Sequence, residues 1–284
     1  MIPNLIYLYC LADRVSQLNP SGKRSLPINL SPKGSGFGLG IDNAYFIYHQ
    51  GLYAMVCRVL PGEFSRESLE KNLADLEWVK TKASIHEKVI EEVMKNSCVV
   101  PFKFATLFKT EDNLKAMLSQ YAKVFKKSLK HLSNKEEWGL KIYCDRDKLK
   151  KNLSQEDREF FNLDKEIRTS SPGKAFLLKK KKEELVYTLV DKKLNEFSKV
   201  CFERLKQNSA QSRINKLLPR EVTEKKEDMI LNSAFLVDKK IVNVFVGAVD
   251  NLKAQYADKG LWFNCTGPWP AYNFCSLEGV LTDE

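Results

Sequence analysis

The order of strand-like and helix-like stretches constrains the fold of this chain more than any other feature of its sequence. In the second half, an apolar run at 138–147 is followed by a long helical stripe, two strand-like runs, a helix and a last strand. The first half gives a strand, a two-strand hairpin, helices, a strand and a helix. This alternation favours an α+β fold, in which helices cover one face of an antiparallel sheet.

A short internal similarity indicates two related units. The segments LIYLYCLADR (5–14) and WGLKIYCDRD (138–147) each give an apolar strand with Tyr-Cys near its end, followed by Asp and Arg. We therefore predict an N-terminal α/β domain at 1–134, a C-terminal α/β domain at 135–266 and a tail at 267–284. The ferredoxin-like β-α-β-β-α-β unit is the nearest simple topology.

Helical periodicity is clear in several stretches. Apolar residues recur every three or four positions at 76–94 and 111–132, which predicts two amphipathic helices. A longer stripe predicts a helix from about 174 to 207, with four lysines near its start. A further short stripe consists of Leu69, Leu73 and Leu76.

Turn-forming residues predict where these elements are interrupted. Gly, Pro and Ser concentrate at 21–38, which predicts a mobile loop. The polar stretch at 152–172 predicts a surface loop or a partly ordered linker. His49-Gln50-Gly51 between two aromatic runs predicts a tight hairpin connection. Pro101 predicts an edge strand or a bent strand, because proline cannot donate to a sheet ladder.

The charge balance is basic but mixed. The 284 residues include 46 Lys and Arg and 36 Asp and Glu, a formal net charge of +10. Such a surplus can attract nucleic acid, anionic lipid or an acidic protein. The acidic residues are interspersed with the basic ones, however, and this pattern is typical of a solvated surface.

The cysteines and the hydropathy pattern argue against a secreted or membrane-spanning protein. Seven cysteines are widely spaced and contain no CxxC pair, which favours buried free thiols in a reducing cytosol. The N-terminal stretch has the pattern of a first strand, and not of a signal peptide. No window of about 20 residues is continuously apolar, so we expect no transmembrane helix and no membrane insertion.

The sequence offers no established catalytic motif. It contains no HExxH and no GxSxG, and the glycine-rich stretch at 34–40 is followed by no helix that could hold a phosphate. His86 and Glu87 are adjacent on a predicted helix and would point about 100° apart, so we do not expect them to face one substrate atom. The cysteines lack partners at zinc-ligand spacing. We predict no enzyme, no metal site and no cofactor, although a base close to a cysteine in space stays open.

RNA binding is the alternative that the fold class raises. RNA-recognition modules combine a ferredoxin-like sheet with aromatic residues. Here VVPFKFATLF (99–108) has a proline and lacks the glycine that their basic-aromatic strand carries. The lysines at 179–182 precede Glu183 and Glu184, so pairs four residues apart favour a solvated helix face over a phosphate track. We therefore expect no nucleic-acid partner.

Several segments identify a family by their order along the chain. They are LIYLYCLAD, LADLEWVKTKASIHEKVIEEV, VVPFKFATLF, EEWGLKIY, SPGKAFLLKKK, NSAFLVDKK and LWFNCTGPWPAYNF. Together they resemble the gas vesicle proteins GvpL and GvpF over nearly the whole length. The strand that leads into GPWPAYNF is the most specific segment. Lys103 stands where the family often has arginine, and the loop at 21–38 is long for the family. Chain length favours GvpL over GvpF, and the sequence leaves that choice open.

The resemblance implies an accessory or minor protein of gas vesicle assembly, located in the cytoplasm and at the vesicle. Gas vesicles are hollow, protein-walled structures that give cells buoyancy, and their main wall protein is the small hydrophobic GvpA. Family members are not known for catalysis; they act in assembly and bind GvpA and other vesicle proteins. Their fold is two α/β domains of modified ferredoxin-like topology with a C-terminal tail. RNA binding, nucleotide binding or an enzyme activity in assembly are the alternatives.

Two sets of residues are singled out. The predicted contacts to a partner are Lys179, Lys180, Lys181 and Lys182. The family-motif residues, which we expect to serve the fold, are His86, Glu87, Pro101, Phe104, Gly267, Pro268, Trp269, Pro270, Tyr272 and Phe274. In the tail, the prolines would fix the backbone and the aromatic rings would pack on the body of the protein. On this interpretation Trp269→Ala lowers stability by roughly 3–5 kcal/mol. The binding face, the oligomeric state, the order of action and retention in the mature vesicle stay open.

Overall fold

The computed structural model describes residues 4–14, 37–156 and 158–275, and the side chains of these residues outside 154–161. The predicted loop at 21–38 lies outside this part, except for its last two residues. The chain divides into two compact units. The first unit consists of residues 1–136 together with 269–284, and the second unit of residues 137–268.

The first unit is built on an antiparallel sheet. Its strands are β1 (Leu5–Ala12), β2 (Tyr45–His49), β3 (Leu52–Val59), β4 (Val99–Pro101) and β5 (Leu107–Phe108). The sheet order is β2-β3-β1-β4, and β5 also pairs with β1. The predicted hairpin is confirmed, but its turn has two residues, Gln50 and Gly51, both with positive φ (49° and 77°), and His49 is the last residue of β2. Pro101 lies in the edge strand β4, as predicted, where it is opposite Cys10.

The helices of the first unit follow the predicted periodicity with one exception. They are α1 (Pro61–Phe64), α2 (Arg66–Asn72), α3 (Leu76–Met94) and α4 (Glu111–Leu132). Asp75 and Thr110 cap α3 and α4 by accepting backbone N–H groups with their side chains. The predicted stripe of Leu69, Leu73 and Leu76 is wrong. Because α2 ends before Leu73 and α3 begins at Leu76, the three residues share no helix face, and Leu76 is 80% exposed.

The second unit contains a second sheet and its covering helices. Its elements are β6 (Lys135–Cys144), α5 (Arg146–Glu156), α6 (Arg158–Thr169), α7 (Pro172–Lys206), β7 (Gln211–Ile214), α8 (Arg220–Thr223), β8 (Asp228–Asp238), α9 (Val242–Tyr256) and β9 (Leu261–Trp269). The expected loop or linker at 152–172 is wrong, because most of it is helix. Helix α6 is mostly polar because it packs on the protein with only one side. On that side Leu163 is buried, and Asp164 pairs with Lys182 of α7.

Both sheets have the same spatial order of strands. The second sheet runs β7-β8-β6-β9, so in each unit the first strand lies between the third and the fourth. This is the ferredoxin-like order, and the fold is α+β as predicted. Of the connection between β1 and β2 in the first unit, residues 37–44 are described, and they include a short 3-10 turn, Ile41–Asn43. The similar Tyr-Cys segments occupy equivalent strands, and Cys10 and Cys144 are both fully buried.

Helix α7 changes character along its length. Its C-terminal half presents the predicted stripe to the core of the second unit, where the buried residues are Val190, Leu194, Phe197, Cys201 and Leu205. Its N-terminal half has no fully buried residue and is contacted by α5 and α6. One helix therefore supplies both core and exposed surface.

Gly267, near the end of the second unit, is under tight steric constraint. Its φ is +152°, and an added Cβ would lie 2.9 Å from the Glu137 carbonyl oxygen and 2.9 Å from the Trp138 ring. Because real Cβ atoms do not approach other atoms so closely, any larger residue must displace backbone or an indole ring.

We predict that Gly267→Ala destabilises the protein by ~1–3 kcal/mol, through steric overlap and an unfavourable φ. Gly247→Ala is the matched control, since Gly247 lies within α9 and an added Cβ would meet nothing within 4 Å. There alanine should stabilise the helix by up to ~1 kcal/mol. Urea denaturation measures both variants, and equal effects of the two substitutions would contradict the steric argument.

Candidate functional site

The tail segment after β9 packs as part of the first unit. Pro270, Ala271 and Phe274 are buried, and the backbone turns so that the Cys275 N–H donates to the Ala271 carbonyl oxygen (3.1 Å). Trp269, which we expected to be buried, is 41% exposed. The expected loss for Trp269→Ala is therefore too large, because a side chain with so much exposure loses less on truncation.

Tyr272 anchors this segment through its hydroxyl group. The hydroxyl donates to Glu87 Oε1 (2.9 Å) and lies 3.1 Å from His86 Nε2. Both residues belong to α3, almost two hundred positions earlier in the chain. The tail is thus attached by a directional polar contact as well as by the burial of Phe274.

The hydrogen bonds of His86 determine its tautomer. Nε2 lies 3.1 Å from the Phe102 carbonyl oxygen, which can only accept, so Nε2 carries the proton. Nδ1 is then the acceptor for the Tyr7 hydroxyl at 2.9 Å. The Tyr7 oxygen in turn accepts the Ala105 backbone N–H at 3.0 Å. The network links β1, α3, the segment after β4 and the tail, with His86 as a neutral imidazole.

Burial controls the protonation of this network. His86 is 1% exposed, and burial lowers its pKa to about 4, against the effect of the Phe102 carbonyl. Burial raises the pKa of Glu87, which the Tyr272 hydroxyl partly opposes. Burial, and next the Glu87 charge, raise the pKa of Tyr272. Glu87 Oε2 is buried without a hydrogen-bond partner among the described residues.

His86 and Glu87, which we did not expect to face one substrate atom, meet on a hydroxyl of the protein's own tail. Both contact the Tyr272 oxygen, because that hydroxyl enters between the two side chains and their length compensates for the angle between them. The shared atom belongs to the protein itself. The pair therefore holds the tail in place, and the imidazole is enclosed and cannot meet solvent.

Aromatic rings complete the surroundings of His86. Phe104 meets the imidazole edge to face at 6.0 Å, and Tyr9 stacks on it at 5.6 Å. The Tyr9 hydroxyl lies 3.2 Å from Cys57 Sγ. Tyr7 and Tyr9 were missed as network members. Their alternation in LIYLYC, which places both on one face of β1, is the signal that could have indicated them.

The four predicted contact lysines lie in the N-terminal half of α7. Lys179, Lys180 and Lys181 are exposed. Lys182 is half-buried, and its ammonium group lies 2.6 Å and 2.7 Å from the two carboxylate oxygens of Asp164. The structure therefore separates three solvent-facing lysines from one that joins α6 to α7.

Large apolar side chains are exposed beside these lysines. Leu177 is 66% exposed, and Phe176 and Tyr187 are also exposed. The Lys180 ammonium lies 5.0 Å from the Phe176 ring centroid, and the Lys150 ammonium lies 4.4 Å from that of Tyr187. We call these exposed residues the α7 surface: Phe176, Leu177, Lys179, Lys180, Lys181 and Tyr187. Sequence reasoning found its lysines but not its apolar part.

The described residues contain neither a candidate metal site nor a candidate membrane-spanning helix. Among them, no group of three or more His, Cys, Asp or Glu side chains is arranged to hold a metal ion. None of the described helices is long and apolar enough to span a bilayer.

Comparison with known proteins decides the family. Residues 5–276 match the family described as gas vesicle synthesis protein GvpL/GvpF. The chain belongs to the GvpL/GvpF family. Gas vesicle protein L of Streptomyces sp. (strain CB03234) is 23% identical over 246 residues, 87% of this chain and 88% of that protein. Gas vesicle protein F1 of Halobacterium salinarum is 22% identical over 242 residues, 84% of each chain.

Two solved structures of GvpL/GvpF proteins share the fold. The GvpF crystal structure from Anabaena sp. PCC7120 aligns with a TM-score of 0.63 at 17% identity, covering 96% of each chain. GvpF from Microcystis aeruginosa gives a TM-score of 0.62 at 18% identity, covering 96% of this chain and 99% of that one. At 17–18% identity, these comparisons show that the present chain and the two GvpF proteins have the same fold, and they show nothing further.

We predict that Tyr272→Phe lowers stability by ~1–3 kcal/mol, because Glu87 loses its donor while it stays partly buried. Tyr48→Phe is the matched control, since Tyr48 is 61% exposed. Its effect should stay within ~0.5 kcal/mol. Chemical denaturation measures both variants, and a Tyr272→Phe protein as stable as the control would refute the anchoring role of this hydroxyl.

The enclosed imidazole predicts a loss of stability on acidification. The unfolded chain binds a proton on this histidine near pH 6.5, while the folded protein does so only near pH 4. Stability should therefore fall as the pH drops through this interval, by up to ~3 kcal/mol at about 1.4 kcal/mol per pH unit. The raised pKa of Glu87 acts with the opposite sign, since a folded carboxyl that retains its proton gains stability as the pH falls.

Comparison of the wild type with His86→Gln isolates the histidine contribution, because Glu87 is present in both. Urea denaturation at pH 7 and at pH 4.5 should show a smaller difference between the two pH values for the variant. The same exchange at the exposed His131 is the control for the loss of a histidine outside this network. Equal pH dependence of His86→Gln and the wild type would rule out this assignment.

Proposed function

We propose that this protein acts in gas vesicle assembly by binding the wall protein GvpA and other vesicle proteins, in the cytoplasm and on the growing vesicle. The observation that carries the proposal is the match of residues 5–276 to the GvpL/GvpF family. The arrangement of His86 supports a binding role over catalysis, because this perturbed histidine is enclosed by the tail and bonded to it.

The physical need for such a partner follows from the wall itself. A small hydrophobic subunit that builds a gas-facing shell exposes a large apolar face before assembly, and such faces aggregate. A protein that covers this face, or that presents subunits to a growing edge, would prevent the aggregation. The present chain would cover or present wall subunits in this way during nucleation or growth of the shell.

The α7 surface is the proposed contact. It combines an exposed apolar group, Phe176 and Leu177, with lysines one turn further along the helix. Apolar side chains with a charged rim are typical of binding patches. Lys182 is not included, because Asp164 neutralises it. The remaining family-motif residues are proposed to serve the fold.

We predict that the purified protein binds GvpA in a pull-down, alone or together with the other vesicle proteins. Leu177→Ser combined with Lys180→Glu should reduce the GvpA that is recovered, because the change removes the apolar and the basic contact together. Trp262→Ser combined with Lys199→Glu is the control, since both residues are exposed and lie outside the α7 surface. If the wild-type protein recovers no GvpA, either alone or together with the other vesicle proteins, the proposal is contradicted.

A further inference from the structure

The outward side of α7 carries a regular stripe that the core of the second unit does not use. Its members are all exposed: Gly173, Leu177, Lys180, Glu184 and Tyr187. They follow one another at spacings of 4, 3, 4 and 3, which is the spacing of a helix seam that faces one neighbouring helix. Neither Lys180 nor Glu184 has a salt-bridge partner among the described residues.

The chemistry of this stripe defines what would complement it. Leu177 and Tyr187 at the two ends offer apolar surface, with the Lys150 ammonium on one side of the Tyr187 ring. Lys180 is complemented by an acid and Glu184 by a base. Read from its other end, α7 itself supplies this order: Tyr187, Glu184, Lys180 and Leu177. The stripe is therefore self-complementary in an antiparallel arrangement centred on position 182.

We propose that two copies of the protein associate through antiparallel pairing of their α7 helices. Leu177 then packs against Tyr187 of the second copy, and Lys180 pairs with Glu184 of the second copy. A twofold axis makes the interface isologous, so every contact is made twice. Each single substitution on the stripe consequently alters two contacts.

The surrounding charges make this association weak and reversible. Lys174, Lys182 and Asp191 are already neutralised by neighbours within the same chain. Lys181 and Glu183 flank the stripe on its two sides, and in the antiparallel arrangement each approaches its own counterpart. Like charges thus oppose the Lys180–Glu184 contacts, and exposed ion pairs contribute little stability. A dimer in rapid exchange with the monomer is expected.

The pairing has a consequence for the proposed function. Leu177, Lys180 and Tyr187 also belong to the α7 surface assigned to the wall protein, so a dimer and a bound wall subunit exclude each other. Free protein would cover its exposed apolar side chains in the dimer and uncover them for its partner. Self-association itself does not depend on the wall protein, and its test uses the isolated full-length chain.

Sedimentation equilibrium over a range of concentrations tests the pairing. The wild type should rise from the monomer mass toward twice that mass. Lys180→Glu alone and Glu184→Lys alone should each weaken association at least ~10-fold, or 1.4 kcal/mol, because each places like charges opposite one another twice. The double variant Lys180→Glu with Glu184→Lys reverses both charges and should restore association.

Three further results separate the outcomes. Lys181→Ala should strengthen association, because it removes a like-charge contact. Lys199→Glu, an equal charge change at an exposed site on the same helix, should leave association unchanged, and circular dichroism should show every variant folded. A wild type that stays monomeric, a double variant as weak as the single variants, or equal weakening by Lys199→Glu would each overturn the proposal. A failure of the protein to bind GvpA would not affect the proposed dimer, because the dimer is measured without GvpA.

Discussion

The Tyr272 hydroxyl, held between His86 and Glu87, is the contact that ties the tail into the first unit. It attaches the last described segment to helix α3 and so brings residues from opposite ends of the sequence into one core. The imidazole is neutral in this arrangement, since the Phe102 carbonyl fixes its proton on Nε2 and Nδ1 accepts the Tyr7 hydroxyl. Burial strengthens these hydrogen bonds and makes their loss costly.

Helix α7 illustrates a different division of tasks. Its C-terminal half fills the core of the second unit, whereas its N-terminal half presents lysines and large apolar side chains to solvent. Exposed apolar residues reduce solubility and contribute nothing to the core, which favours a binding role. The proposed contact with the wall protein and the proposed antiparallel dimer both use this half, so the two would compete.

The parts predictable from the sequence were those governed by local periodicity. The bounds of α3 and α4, the hairpin turn at Gln50 and Gly51 and the edge position of Pro101 all follow from side-chain spacing and backbone chemistry. The helices at 146–169 were missed, because helix α6 needs only one apolar side and its composition resembles that of a linker. The stripe through Leu73 was wrong because the chain breaks between α2 and α3.

The sequence by itself determined the family, the α+β class and the position of most helices and strands, because these depend on patterns between residues close along the chain. Only the tertiary structure decided that the Tyr272 hydroxyl attaches the tail to α3 while Trp269 stays partly exposed, and that His86 and Glu87 meet on one hydroxyl. Only it separated Lys182 from its three neighbours through Asp164. These outcomes depend on which distant residues come together, and spacing along a chain carries no information about that.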